Sequence, residues 1–237
     1  MHKAMMVGAL LLAAGSAQAD YQCGVRPQDD VVISPQKVQV VGASGNLIIT
    51  PTGDVQRNGQ TVTVDNATRQ KAIDYQAALR RDLPWIDEGA RQRLETGRIA
   101  LDKVVVEKLG ENSNVRHRLT DLDSKLKQQM NRIIEHRSDG LTFHHQAIDQ
   151  VRQQGEQLVQ STMGGMVQDS LNEMSNKQAG NGGNPLQALM GNLGGLQQSI
   201  QAEWSNQEQD FQRFGHEVCN RVTGLEQQRK AVVVGLK

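Results

Sequence analysis

Val115, Leu119, Leu122, Leu126, Met130 and Ile133 follow one another at spacings of 4, 3, 4, 4 and 3 residues, and no other feature restricts the fold so tightly. An α-helix turns once in about 3.6 residues, so this spacing draws one narrow apolar line along a helix. On the polar remainder, Asp121/Lys125 and Asp123/Lys127 set acid before base at i,i+4, which supports the helix modestly. Asn112-Ser113-Asn114 offers the N-cap, and the helix is expected to reach Arg137 before Ser138-Asp139-Gly140 breaks it. A line this narrow must be buried against other helices of the same kind.

The chain supplies them. Asp65 or Asn66 can cap a helix whose Ala72, Tyr75, Leu79 and Leu83 share a face. Pro84 suits the first turn of a following segment, with Ile86, Ala90, Leu94, Gly97, Leu101 and Val105 in line and Gly110 as its stop. Ile148, Val151, Gly155, Leu158, Thr162 and Met166 mark a third helix. Asn184-Pro185 opens the last, with Leu186, Leu189, Leu193, Leu196, Ile200, Trp204, Phe211, Phe214, Val218 and Leu225 in register except for a gap at Gln207. Aromatic residues are only 3% of the chain, which suits narrow helical seams better than a deep core.

Ahead of these helices the period falls to two. Val38-Gln39-Val40 and Thr61-Val62-Thr63-Val64 alternate as half-buried strands do, Leu47-Ile48-Ile49-Thr50 is a short apolar strand, and Asn58-Gly59 is a hairpin turn signal. Three or four strands do not stand alone and should lean on a helix. The expected fold is therefore α+β and mainly α. A small β-meander occupies residues 20–64, and an elongated antiparallel helical bundle or hairpin occupies 65–237, with a Gly/Asn-rich break at 178–184.

Residues 1–19 have the pattern of a secretory leader: Lys3 is basic, residues 5–14 are apolar, and Ala17-Gln18-Ala19 offers a small-x-small cleavage site. Cleavage between Ala19 and Asp20 would release the mature chain into the periplasm. Removing the leader takes one base and no acid, leaving 25 basic and 26 acidic side chains. That balance argues against a nucleic-acid binder, which needs a basic face. Cys23 and Cys219 are the only cysteines. In an oxidising compartment an even pair without C-x-x-C spacing reads as a structural disulfide.

Residues able to do chemistry are few. His136, His144 and His145, with Glu135 and Asp139, are the one concentration of metal-ligand types, but spacings of eight and nine across Gly140 are not those of a zinc site. Asp87 and Glu88 after Trp85 could act as acid and base, although acids in a first turn also favour the positive end of a helix. No G-x-S-x-G or phosphate-binding glycine loop occurs, and Ser34-Pro35-Gln36-Lys37, which matches S-x-x-K, lies in strand and turn sequence. No catalytic residue and no cofactor are expected. The glycines Gly164, Gly165, Gly191, Gly194 and Gly195 are the oddest feature, because each weakens a helix interior by about 1 kcal/mol relative to Ala. They allow close approach of a partner or mark a hinge, and the Met- and Leu-rich sequence around them would adapt to a protein surface. Only Lys177 is basic between Gln153 and Glu203, which disfavours contact with an anionic membrane.

Leu83-Pro84-Trp85-Ile86-Asp87-Glu88-Gly89, Met130-Asn131-Arg132-Ile133-Ile134-Glu135, Arg137-Ser138-Asp139-Gly140-Leu141-Thr142-Phe143-His144 and Gly194-Gly195-Leu196-Gln197 resemble the YggN family of exported bacterial proteins. The resemblance extends from about Cys23 to the C-terminus. It implies a Gram-negative periplasmic location and supplies no functional residues, since the family's function is uncharacterised. The expectation is thus a non-enzymatic structural or interaction protein, engaging an unknown partner or a second copy through its helices. The alternative is a periplasmic enzyme or metal-binding protein built on residues 85–88 or 135–145. A third possibility is a chaperone-like binder of apolar clients at the glycine-rich helices.

Overall fold

The computed structural model describes residues 23–178 and 185–236, so the leader and most of the Gly/Asn-rich break lie outside the described residues. Seven strands and four helices follow in the order β1 (Asp29–Ile33), β2 (Val38–Gly42), β3 (Gly45–Ile49), β4 (Val55–Arg57), β5 (Gln60–Val62), α1 (Asn66–Leu109), α2 (Asn114–Ile133), β6 (Ile134–Arg137), β7 (Gly140–Phe143), α3 (Ala147–Gln178) and α4 (Pro185–Gly235). The fold is mixed α+β with helix predominant, as expected.

The strands form one antiparallel sheet in the order β5-β4-β3-β2-β1-β7-β6. The meander is legible from its turns: Asn58 and Gly59 both take positive φ, 52° and 81°, as a two-residue hairpin requires. What the sequence reading missed is the second hairpin. The helix expected to reach Arg137 stops at Ile133, and residues 134–143 turn back as β6 and β7 to pair β7 with β1. Ile134 and Phe143 are buried against the sheet core, and the backbone follows that burial rather than the helical period. Gly140 is what lets the hairpin seat. Its φ is +149°, and a Cβ there would run into the Ile33 carbonyl on β1.

One face of the sheet carries Val31, Ile33, Val38, Val40, Leu47, Ile49 and Val55. It packs on Ala72, Tyr75, Ala78, Leu79 and Leu83 of α1 and on Leu225 and Val232 of α4. Asp65 caps α1 by accepting from the Thr68 amide, and Gly110 ends it. Pro84 does not begin a new helix. It sits inside α1, which runs through it for 44 residues, although a proline there removes one helical hydrogen bond. Leu79 and Leu83 before it are buried on the sheet, so tertiary packing sustains the helix across that gap. α4 is continuous over 51 residues, through the gap in its apolar line at Gln207.

α4 lies antiparallel to α1. Thr68 faces Gly235, Asp82 binds Arg221, Gly89 touches Phe214 and Arg93 pairs with Asp210, all in one register. α3 lies antiparallel to α2, with Arg132 bound to Gln150, Arg118 to Asp169, and the Asn114 amide to Glu173. All four helices meet in a second core made of Val105, Leu109, Val115, Leu119, Met166 and Leu196. The Cys23 and Cys219 sulfurs lie at disulfide distance, with Cα atoms 5.4 Å apart, tying the segment before β1 to α4.

Candidate functional site

Two regions hold the residues singled out by sequence. The first is a polar groove of about 600 Å³ bounded by α1, the middle of α2 and β6. Its α1 wall is Pro84, Asp87, Glu88, Arg91, Gln92 and Glu95, residues three and four apart on one helix face, with Lys127 and His136 opposite. The β6–β7 hairpin carries His136 to α1, where its Nε2 lies 2.6 Å from Asp87 Oδ2. The two sequence candidates, residues 85–88 and the histidine region, therefore do converge.

The chemistry of the groove is largely self-satisfied. Asp87 is buried and also accepts from Arg91 Nε at 2.9 Å, while Arg91 Nη2 donates to Asn131 at 2.6 Å. Lys127 bridges Glu95 and Asp123 at 2.8 Å each. Hydrogen bonds from Arg98 first and Lys127 second hold the Glu95 carboxyl down to about 2. No hydroxyl or thiol lines the groove; its groups able to act as nucleophile, acid or base are carboxylates, the Lys127 amine and the His136 imidazole.

Trp85 turns away from this groove. Its ring lies under the Arg221 guanidinium at 3.8 Å and beside Phe214, centroids 5.3 Å apart, and Arg93 covers the other aromatic at 4.0 Å. Asp82 is buried and receives Arg221 at 2.6 Å. This clasp between α1 and α4 was invisible to periodicity, because its partners are more than 100 residues apart. Arg229 is buried against two partners as far off in sequence, Ser44 Oγ at 2.5 Å and Asp29 at 3.4 Å, and against Glu226 at 2.8 Å on its own helix.

The other two histidines go elsewhere. His145 Nδ1 is 2.6 Å from Asp30 Oδ1, and its backbone amide donates to the same oxygen. His144 lies between Glu135, at 3.3 Å, and Asp30, at 3.6 Å. His136, His144 and His145 are thus divided between α1 and β1. Among the described residues no group of three or more His, Cys, Asp or Glu is placed to hold a metal ion.

The second region is the outer face of α3 with the facing part of α4. Gly165 is closed off: the Arg118 guanidinium crosses it to reach Asp169, and a Cβ would meet that guanidinium at 2.5 Å. Gly164, Gly194 and Gly195 have nothing within 4 Å of a Cβ position, so intramolecular packing does not explain them. Beside Gly164, Met163 is 40% exposed and Val167 56%. Gly191 lies on α4 where only the backbone is described. No helix among the described residues is long and apolar enough to cross a membrane.

Comparison with known proteins bears on the whole chain. Residues 23–237 match the family described as a protein of unknown function, DUF2884. The chain is 59% identical over 238 residues to the uncharacterized protein YggN of Escherichia coli strain K12, and equally to that of strain O157:H7, with all of both chains covered. No solved structure matches. The match begins at Cys23 and takes in both cysteines, the hairpin at Gly140 and the open glycines of α3 and α4, and the chain belongs to the DUF2884 family.

Proposed function

We propose that this is an exported protein that acts in the periplasm by protein–protein interaction rather than by catalysis, with the distal half of α3 and α4 as its contact surface. The observation that carries the reading is the contrast between the two regions. In the groove most charged groups already have partners on the chain itself. On α3, Met163 and Val167 stand in solvent beside a glycine with open space around it. Exposed apolar side chains at i,i+4 on a helix are what a partner helix would cover.

The leader pattern of residues 1–19 and the cysteine pair support a location outside the cytosol. On this reading the end of the helices away from the sheet is the one presented to the partner. The test is site-specific photo-crosslinking in intact cells. A probe at Val167 is expected to give a discrete crosslinked product. A probe at Arg152, exposed on the same helix, is expected to give none. Equal yields at both positions would refute the assignment. Mass spectrometry of the exported chain should find Asp20 at its N-terminus.

A second reading is favoured by the Asp87–His136 contact alone. A buried carboxylate orienting an exposed imidazole is a general-base arrangement when a substrate sits beside it. Saturation-transfer NMR with small polar metabolites, comparing the wild type with His136→Gln, would reveal such a ligand.

A further inference from the structure

We propose that the helical end far from the sheet opens as a unit of its own while the sheet end stays folded, so that the chain carries two cooperative parts joined by a weakly coupled waist. The inference does not require a partner. Three observations carry it.

The first is where burial stops. Among the described residues the sheet core gathers 17 buried apolar residues, whereas the second core, from Val105 to Leu196, gathers six. Between the two, no described side chain is buried from residue 88 to 104 of α1, 120 to 133 of α2, 147 to 165 of α3 or 197 to 213 of α4. On α1 that gap runs about 25 Å at 1.5 Å per residue. Leu94, Leu101, Leu122, Leu126 and Leu158, which draw the apolar lines of the sequence, are only half-buried there. Apolar burial stabilises in proportion to the area removed from water, so a waist that stays partly wet couples the two cores weakly.

The second is what ties each end. On the sheet side of the waist stand the Cys23–Cys219 bridge, the buried Arg229–Asp29 pair and Arg221 on the buried Asp82. Across the waist and beyond it the ties are partly exposed ion pairs, Arg93–Asp210, Lys127–Glu95, Arg116–Asp102 and Arg118–Asp169. Pairs that water reaches add little to stability.

The third is the glycines. Gly164, Gly165, Gly191, Gly194 and Gly195 all fall on α3 and α4, close in sequence to the Met166 and Leu196 that those helices give to the smaller core. Glycine inside a helix loses more backbone freedom on folding than any other residue. Around Gly164, Gly194 and Gly195 there is open space, so no close packing offsets that loss. They weaken the two helices that must let go of α1 and α2. Opening there bares Val105, Leu109, Val115 and Leu119, which are otherwise out of water. The fold thus holds an apolar face that it can uncover without unfolding the sheet.

Native-state hydrogen–deuterium exchange read by mass spectrometry, on the full exported chain with its cysteines oxidised, tests this. Peptides covering 105–119 and 160–173 should exchange through a common opening about 100-fold faster than those covering 29–49, 72–83 and 225–232. Low urea should accelerate them far less, because a partial opening exposes less surface. Val40→Ala, in the sheet core, should speed exchange at the sheet end about tenfold and leave the helical end unchanged. Leu119→Asp, which puts a charge in the smaller core, should abolish protection at the helical end while the sheet end stays protected. A wild type that exchanges at one rate throughout overturns the proposal, as does a Val40→Ala chain accelerated equally at both ends. A Leu119→Asp chain that loses protection everywhere overturns it too, because the two cores would then stand or fall together.

Discussion

Replacing both cysteines, Cys23→Ser with Cys219→Ser, removes a cross-link between residues 196 apart in sequence. In the folded protein α4 does not rely on the bond alone for its place. α4 is seated on the sheet and α1 by Leu225, Val232, the Arg221–Asp82 pair and the Arg229 cluster. Its effect falls on the unfolded chain, which it closes into one very long loop. The chain-entropy relation for a loop of that length gives about 5 kcal/mol at 25 °C, an upper figure because strain and residual structure reduce it. That is comparable to the whole stability of many domains. Urea titration followed by far-ultraviolet circular dichroism should show the double variant losing ~3–5 kcal/mol with its helical signal intact in buffer. Its m value should also rise, because an unbridged unfolded chain exposes more surface. A loss below about 1 kcal/mol with an unchanged m value would refute the loop argument. A double variant with no helix in buffer would show that the bond acts on the native packing instead.

Other consequences follow from single positions. Gly89→Ala puts a Cβ 2.5 Å from the Phe214 ring, which is held between Trp85 and Arg93; overpacking should outweigh the helix-propensity gain and cost ~1–2 kcal/mol in urea unfolding, whereas a net gain would show that the clasp is slack. Arg229→Met leaves the buried Asp29 carboxylate its Ser44 amide and hydroxyl donors but removes the guanidinium beside it, and should cost about 3–5 kcal/mol, with much of it recovered on adding Asp29→Asn. Burial opposes ionisation of Asp30, but hydrogen bonds from the His145 ring and amide outweigh it and hold its carboxyl below the ordinary value. A carboxylate lowered on folding stabilises above its unfolded pKa and loses that contribution as the pH falls through its folded one, so Asp30→Asn should flatten the acid limb of the stability–pH profile, as followed by thermal melts. An unchanged acid limb would remove Asp30 from that role.

Local chemistry made much of the chain legible. The caps at Asp65 and Ser113, the stop at Gly110, the Asn58-Gly59 hairpin and the apolar line of α2 each depend on residues within a few positions of one another, so spacing alone located them. Three things went unread for the opposite reason. The apolar period of α2 runs straight into Ile133, and only the empty edge of β1, 100 residues earlier in the chain, decides that Ile134 continues as a strand. Pro84 signals a helix start locally, yet burial of Leu79 and Leu83 on the sheet carries α1 through it. Asp87 and His136 were separately suspicious residues, and their meeting depends on that same hairpin.

The sequence by itself determined the family, the secondary-structure periods and the pairing of its only two cysteines, because each is set by residue identity or near-neighbour spacing. Only the tertiary structure decided which charges are buried, where α2 becomes β6, and which glycines stand open. Those depend on what the rest of the chain brings alongside, and a buried arginine and a solvated one are written with the same letter.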